Sequence, residues 1–410
     1  MSQPMHECNL CGSSTLMPLI DFGNHPVAKH YLGNRSEVQP TWPVRLYFCE
    51  HCGLTQLADS CPPDVLYKNY VTLSSWKFQP HVQHEIDAIK SLSSINSDSK
   101  IIEIGSNDGM FLRQMAQSGF KNTLGVEPAK DAYDLSVAKG INTLQAFLSP
   151  EVASTIKEQH GEFDLLVSRQ NLEHISDLRG VARSIQALVK PNGYVLIEVP
   201  DLACFFRWHD YSVWEEHVNY FTIDTLRYFL QMCGVELVHR ETILFSSESV
   251  FVLGRKVGDT SCHLDYVPAL RSQNLKYAAH WPVFRSAIRE YFASQKKANK
   301  KIAVYGAGAR IIGLINFADI ASSIDVIVDD QVEKQNKFTP GGKIPIVSSD
   351  ALYSHGIDIC LLAVNTENED KVISKHAKWV RNDGKFWSVL PPSDRLLPIW
   401  QHNWERSGYG

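Results

Sequence analysis

The run Lys100-Ile101-Ile102-Glu103-Ile104-Gly105-Ser106-Asn107-Asp108-Gly109 constrains the fold more than any other stretch of the chain. A short apolar segment predicts a buried strand, and the glycines just after it predict a sharp turn into a helix. Glycine has no Cβ, so the backbone there can take positive φ and approach a ligand closely. A second apolar run, Thr123-Leu124-Gly125-Val126, ends on Glu127 and Pro128. An acidic residue at the tip of the neighbouring strand is where open α/β sheets hold ribose hydroxyls. Together these features predict an adenosine-type cofactor site drawn from Glu103, Gly105, Ser106, Asn107, Asp108, Gly109, Glu127 and Pro128.

The turn reads Glu-x-Gly-x-x-x-Gly and lacks the Gly-x-Gly-x-x-Gly that packs a pyrophosphate. Asp108 beside it would repel phosphate. Both features favour S-adenosylmethionine, which has no phosphate and carries a cationic sulfonium and an amino group; a tight turn without a ligand is the plainer alternative. Strands expected at 100–104, 123–126, 163–168 and 194–199 alternate with helices, one of them at 178–189 and ended by Pro191-Asn192-Gly193. Such alternation predicts a parallel, doubly wound sheet. Apolar runs at 235–244 and 250–253 predict a closing antiparallel hairpin.

Four of the nine cysteines form two Cys-x-x-Cys pairs, Cys8/Cys11 and Cys49/Cys52, each followed by glycine at Gly12 and Gly53. Four thiolates close a tetrahedral shell around Zn²⁺ with no open position, which predicts a structural and not a catalytic metal. Residues 12–48 intervene, so they are expected to fold into a small lobe of their own. His6 and His51 are near enough to substitute as ligands, and a redox dithiol is the alternative reading.

The chain of 410 residues is long enough for two to four domains at about 150 residues each. The expected division is a metal lobe at 1–62, a helical connector at 63–98, a cofactor domain at 99–257, a helical linker at 258–300 and a smaller Rossmann-like lobe at 301–410. A net charge of −5 with scattered lysines and arginines gives no footprint for nucleic acid. No apolar run reaches the ~18 residues of a membrane span, and the start Met-Ser-Gln-Pro-Met-His-Glu lacks the basic and apolar parts of a secretion signal, so a cytoplasmic location is expected.

The last segment repeats the strand and glycine pattern in Lys301-Ile302-Ala303-Val304-Tyr305-Gly306-Ala307-Gly308-Ala309-Arg310, with Asp329 or Asp330 near the position of a ribose-binding carboxylate. The third glycine is displaced to Gly313. A lobe that cradles part of a substrate is favoured over an NAD site. Chemistry belongs at the carboxyl ends of the central strands. There the sequence places Gln170, counted among the cofactor residues, and Leu172-Glu173-His174, followed by Trp214-Glu215-Glu216-His217. His174 and His217 are the acid/base candidates, because imidazole titrates near neutral pH. Glu216 is placed to orient a ring or hold a substrate hydroxyl.

The paired Cys-x-x-Cys, the Glu103–Gly109 turn, Leu172-Glu173-His174, Glu215-Glu216-His217, Gly306-Ala307-Gly308-Ala309 and Phe338-Thr339-Pro340-Gly341-Gly342-Lys343-Ile344-Pro345-Ile346 stand in the order found in one family. Over essentially its whole length the chain resembles the zinc-containing, S-adenosylmethionine-dependent sugar C-methyltransferases, which act on nucleotide-linked deoxy keto sugars. The resemblance implies a class I methyltransferase domain flanked by a zinc lobe and a C-terminal lobe that helps hold a thymidine-diphosphate sugar. It also implies His217 as the base, Glu216 as its glutamate, His174 as the second histidine and Tyr70 as the tyrosine facing the sugar. The chain departs from the pattern at Trp214, where the family has tyrosine, at Arg310, where lysine is frequent, and at Ser246-Ser247-Glu248-Ser249, where the family is rich in glycine. O- or N-methylation of a small metabolite and an NAD-linked oxidation in the last lobe are the other readings.

Overall fold

The computed structural model describes residues 6–59, 61–66, 80–245, 247–258 and 260–400. At its centre is a seven-stranded sheet in the order Val235–Leu244, Glu248–Lys256, Val189–Pro200, Phe163–Arg169, Lys100–Ile104, Asn122–Val126, Thr143–Leu144. The last five of these strands run parallel, and the first two form the expected antiparallel hairpin. Beyond Lys100 the strand Lys100–Ile104 is buried throughout, as its apolar composition requires. The chain leaves it first toward one edge and later toward the other. A crevice therefore opens at its carboxyl end. Gly105, Asn107 and Gly109 turn the chain there with φ of 71°, 51° and 73°.

Differences from expectation are local. The helix Leu178–Leu188 stops one residue early, and Pro191-Asn192-Gly193 sits inside the long strand Val189–Pro200, with Asn192 at φ 64°. Of the expected helical connector, Pro80–Lys90 is helical, while Tyr70 and Trp76 lie outside the described residues.

The N-terminal lobe is not self-contained, contrary to the expected independent fold of residues 12–48. Leu16–His25, Trp42–Cys49 and Thr55–Leu57 form antiparallel strands, but the fourth strand of their sheet is Asn219–Tyr220, from the middle of the chain. Thr55 pairs with Tyr220 and Gln56 with Asn219. The C-terminal lobe is a six-stranded sheet in the order Lys337–Phe338, Pro345–Val347, Val326–Val328, Ile302–Tyr305, Ile359–Leu362, Lys385–Ser388. Leu32 of the N-terminal lobe bridges to Phe338 at its edge.

The helix Val267–Lys297 lies between the lobes, and its Tyr277, Trp281, Phe284, Ile288 and Phe292 share one core with Phe22 and Val44 on one side and Ile312 and Ile315 on the other. Gly313 explains itself here. A Cβ on it would stand 2.8 Å from the Val213 carbonyl oxygen, so the displaced glycine allows close packing and is not a phosphate contact.

The four cysteines converge, with Cys8 Sγ 3.5 Å from Cys52 Sγ and Cys11 Sγ 3.6 Å from Cys49 Sγ. A tetrahedral site with Zn–S bonds of about 2.3 Å has sulfurs about 3.8 Å apart, so the set fits a zinc ion without rearrangement. Gly12 and Gly53, at φ 76° and 78°, turn each knuckle, and their amides donate to the carbonyls of Cys8 and Cys49 at 2.9 Å. Because such a metal stabilises only the folded chain, Cys49→Ser is expected to reduce bound zinc from about one ion per chain to a small fraction and to lower Tm by several degrees. Elemental analysis and calorimetry measure both; an unchanged zinc content would rule out the cysteines as ligands.

Candidate active site

Glu127 is buried, and its carboxylate pins the glycine turn: one oxygen accepts the Asn107 N–H at 2.8 Å and the other the Ala129 N–H at 2.8 Å. Each oxygen keeps a further lone pair for a ribose hydroxyl. Burial raises the Glu127 pKa while the two amides oppose the rise. A Cβ on Gly105 would come 2.7 Å from the Asn171 side chain, so the turn packs directly under the segment that leads to His174. Beside it, Ser106 Oγ and one oxygen of Glu103 are buried without a partner among the described residues, and burial pushes the Glu103 carboxyl up to about 8. Unsatisfied polar atoms around an amide-lined bend suit S-adenosylmethionine, with its hydroxyls and amino group.

Two expectations for this site need correction. Asp108 forms an ion pair with Lys139, so its charge is compensated and it does not by itself exclude phosphate. The absent third glycine carries that argument alone. Gln170, at φ 46°, spends its amide N–H groups on Glu198 Oε1 (2.7 Å) and Ser249 Oγ (2.9 Å), inside a network behind the turn. The sequence reading missed the centre of that network, Arg169, which binds Glu85 at 2.6 Å and Glu198 at 3.1 Å and lies over the Phe111 ring. Its only sequence signal is a charged residue at the end of an apolar strand.

His174 and His217 do meet. Their ring centroids are 4.7 Å apart, edge to face, and the Trp214 indole lies over His217 at 3.6 Å. His174 Nδ1 stands 2.9 Å from the Glu216 carbonyl oxygen. A carbonyl can only accept, so Nδ1 carries the proton and Nε2 presents a lone pair. Burial lowers the pKa of both rings, most at His217, where His174, Lys29 and Arg310 add to it. Both are neutral near pH 7.

Of the two roles expected for Glu216, orienting a ring falls to its backbone. Its carboxylate accepts from Lys29 Nζ at 2.9 Å, and its backbone carbonyl, not its carboxylate, orients His174. Lys29 and Tyr31 went unnoticed in the sequence because nothing marks residues 27–32 as part of a site. Glu215 Oε1 accepts the Ala28 N–H at 2.6 Å, and the Tyr31 hydroxyl donates to the Ala307 carbonyl at 2.5 Å, which fixes that loop between the lobes. Tyr70 lies outside the described residues. Arg310 is nearly buried and holds Asp210 at 2.8 Å and Ser212 at 2.9 Å, anchoring the loop that carries His217. Asp329, the candidate NAD carboxylate, accepts the Ala307 and Gln331 amides at 2.8 and 2.9 Å and pairs with Lys334 at 3.1 Å. Its charge is consumed within the lobe.

Three family models match the chain in succession: a zinc binding domain at residues 8–67, a methyltransferase domain at 78–240 and a C-methyltransferase C-terminal domain at 272–391. The C-methyltransferase NovU of Streptomyces niveus is 27% identical over 95% of this chain and 96% of its own length. A ubiquinone biosynthesis O-methyltransferase of Bordetella avium is 27% identical, but over 27% of this chain and 46% of its own. Among solved structures, a methyltransferase from Anabaena variabilis aligns with 43% of this chain and 83% of its own, at 15% identity and a TM-score of 0.37. With the cysteine cluster, the glycine turn and all three matched segments, the chain is an S-adenosylmethionine-dependent methyltransferase with a zinc-binding lobe, similar over nearly its whole length to a C-methyltransferase.

Proposed function

We propose that the enzyme methylates a carbon next to the ketone of a nucleotide-linked deoxy sugar, with His217 as the general base. The observation that supports this most is the His217 imidazole, buried between Trp214 and His174, whose own segment packs on the glycine turn through Asn171. Carbon is a poor nucleophile until deprotonated. A neutral, positioned imidazole is the group that such a step requires.

S-adenosylmethionine, when bound, supplies the methyl group. His217 takes the proton from the carbon α to the ketone, and that carbon's electron pair would form the new bond to the methyl as the methyl–sulfur bond breaks and S-adenosylhomocysteine leaves. The enolate oxygen falls to Lys29, whose ammonium is held by Glu216. Neutral His174 is a poor donor for it, since its one N–H is committed to the Glu216 carbonyl. The C-terminal lobe, joined to the site through Tyr31, is assigned to the nucleotide part of the substrate. Trp214 in the family's tyrosine position supplies no phenolic proton and instead walls in His217. That feature also suits a reading in which an oxygen or nitrogen acceptor is methylated. Mass spectrometry locating the new methyl group on a sugar carbon or on a heteroatom decides between the two.

His217→Ala is expected to lower kcat by about 10²–10⁴-fold, the usual contribution of a general base, with affinity for S-adenosylhomocysteine kept. A rate close to wild type on the true substrate would remove His217 as the base. Glu127→Ala, by contrast, deletes the ribose acceptor and frees the Asn107 amide. Calorimetry should show S-adenosylhomocysteine binding weakened by roughly tenfold or more, since a hydrogen bond to a charged group contributes about 1.5–3 kcal/mol.

A further inference from the structure

Glu173 has no part in the reaction above, yet it is 1% exposed and, among the described residues, neither of its carboxylate oxygens has a hydrogen-bond partner. A buried, unsatisfied carboxylate is costly, and native structures keep few of them without a reason. Its neighbours indicate one. A Glu173 oxygen, a His174 nitrogen and a His217 nitrogen all lie within 4.8 Å of one another, with Glu173 Oε1 4.0 Å from His174 Nε2. His174 donates its Nδ1–H to the Glu216 carbonyl at 2.9 Å. Metal-ligating histidines commonly do the same, because it fixes the ring and aims the other nitrogen's lone pair at the ion.

We propose that Glu173, His174 and His217 form a second divalent-cation site, distinct from the four-cysteine centre and selective for a first-row transition ion such as Zn²⁺. Two imidazoles and a carboxylate suit Zn²⁺, whereas Mg²⁺ prefers oxygen ligands. Bonds of about 2.0–2.2 Å put tetrahedral ligands about 3.4 Å apart, so the three groups close on the ion by roughly 1 Å. Three protein ligands leave the fourth position open, as in zinc sites that are not structural. The Lys29 charge nearby is offset by Glu216 at 2.9 Å. Coordination occupies the lone pair of His217, so a bound cation switches the base off. This last consequence rests on His217 being the base; the binding itself does not.

The test uses the full chain with its cysteine-bound zinc in place, titrated with ZnCl2 in a calorimeter without methyl acceptor. The expected result is one further equivalent of Zn²⁺ per chain, at micromolar affinity or tighter, that MgCl2 does not displace. Glu173→Gln and His174→Gln should each weaken that equivalent by about 10–100-fold while keeping the first zinc and the affinity for S-adenosylhomocysteine, which shows that both variants are folded. No second equivalent in the wild type, or an equal affinity in Glu173→Gln, overturns the proposal. Zinc that binds with the expected variant dependence but leaves methyl transfer unaffected supports the site and instead removes His217 as the base.

Discussion

One side chain, Asn219, ties the metal lobe to the segments that carry His174 and His217. Its amide nitrogen donates to the carbonyls of Leu172 (3.0 Å) and Ile175 (2.7 Å), which bracket Glu173 and His174. Its oxygen accepts from Asn9 Nδ2 at 2.9 Å, and Asn9 lies within the first Cys-x-x-Cys knuckle. Asn219 also stands two residues after His217, in the strand that completes the N-terminal sheet. A fully engaged buried amide of this kind fixes geometry strongly, because breaking any one bond leaves a buried polar group unpaired. The cysteine centre therefore bears on the histidine pair without touching it: it holds the knuckle, the knuckle holds Asn219, and Asn219 ties His217 to the segment of His174.

The two Rossmann-like domains solve the same local problem with the same device. In each, a carboxylate at the tip of the second strand accepts an amide from the glycine turn after the first, Glu127 from Asn107 and Asp329 from Ala307. The domains differ in what surrounds that carboxylate. Around Glu127 lie a Ser106 hydroxyl and a Glu103 oxygen that have no partner among the described residues, whereas Asp329 is paired with Lys334. Unspent hydrogen-bonding capacity remains on the methyltransferase side. Similar glycine patterns in one chain thus lead to one cofactor site and one lobe whose turn is closed on itself.

That contrast sets the limit of what the sequence reveals. Strand periodicity, the glycine turn and Glu127 are local signals, and they place the strand Lys100–Ile104 and the helix Leu178–Leu188 to within a residue. The cysteine pairs are equally legible, since ligand spacing is a local property. What the sequence hides depends on distant contacts. The pairing of Thr55–Leu57 with Asn219–Tyr220 joins residues far apart along the chain, and neither segment is long enough to announce a strand. Lys139 neutralises Asp108 across a helix, and Gly313 exists for a carbonyl on another lobe. Glu216 is the sharpest case. Residue type suggested a working carboxylate, but the group that orients His174 is its backbone carbonyl, which every residue has.

The loop from Asp210 to His217 is gripped from both sides by domains that do not form the cofactor turn. Arg310 reaches it from the C-terminal lobe through Asp210 and Ser212, and Gly313 lets the same helix lie against Val213. From the N-terminal lobe, Ala28 binds Glu215 and Lys29 binds Glu216. A buried pair such as Arg310 with Asp210 contributes little net stability, because desolvating two charges nearly cancels their attraction, but losing one partner strands the other. Such a contact selects one arrangement over its neighbours. Cofactor binding and the placement of His217 are therefore separable in this fold: the central sheet carries the glycine turn and Glu127, and the flanking lobes determine where His217 stands. Changes at Arg310, Trp214 or the loop around Lys29 can alter the acceptor while leaving the methyl donor in place.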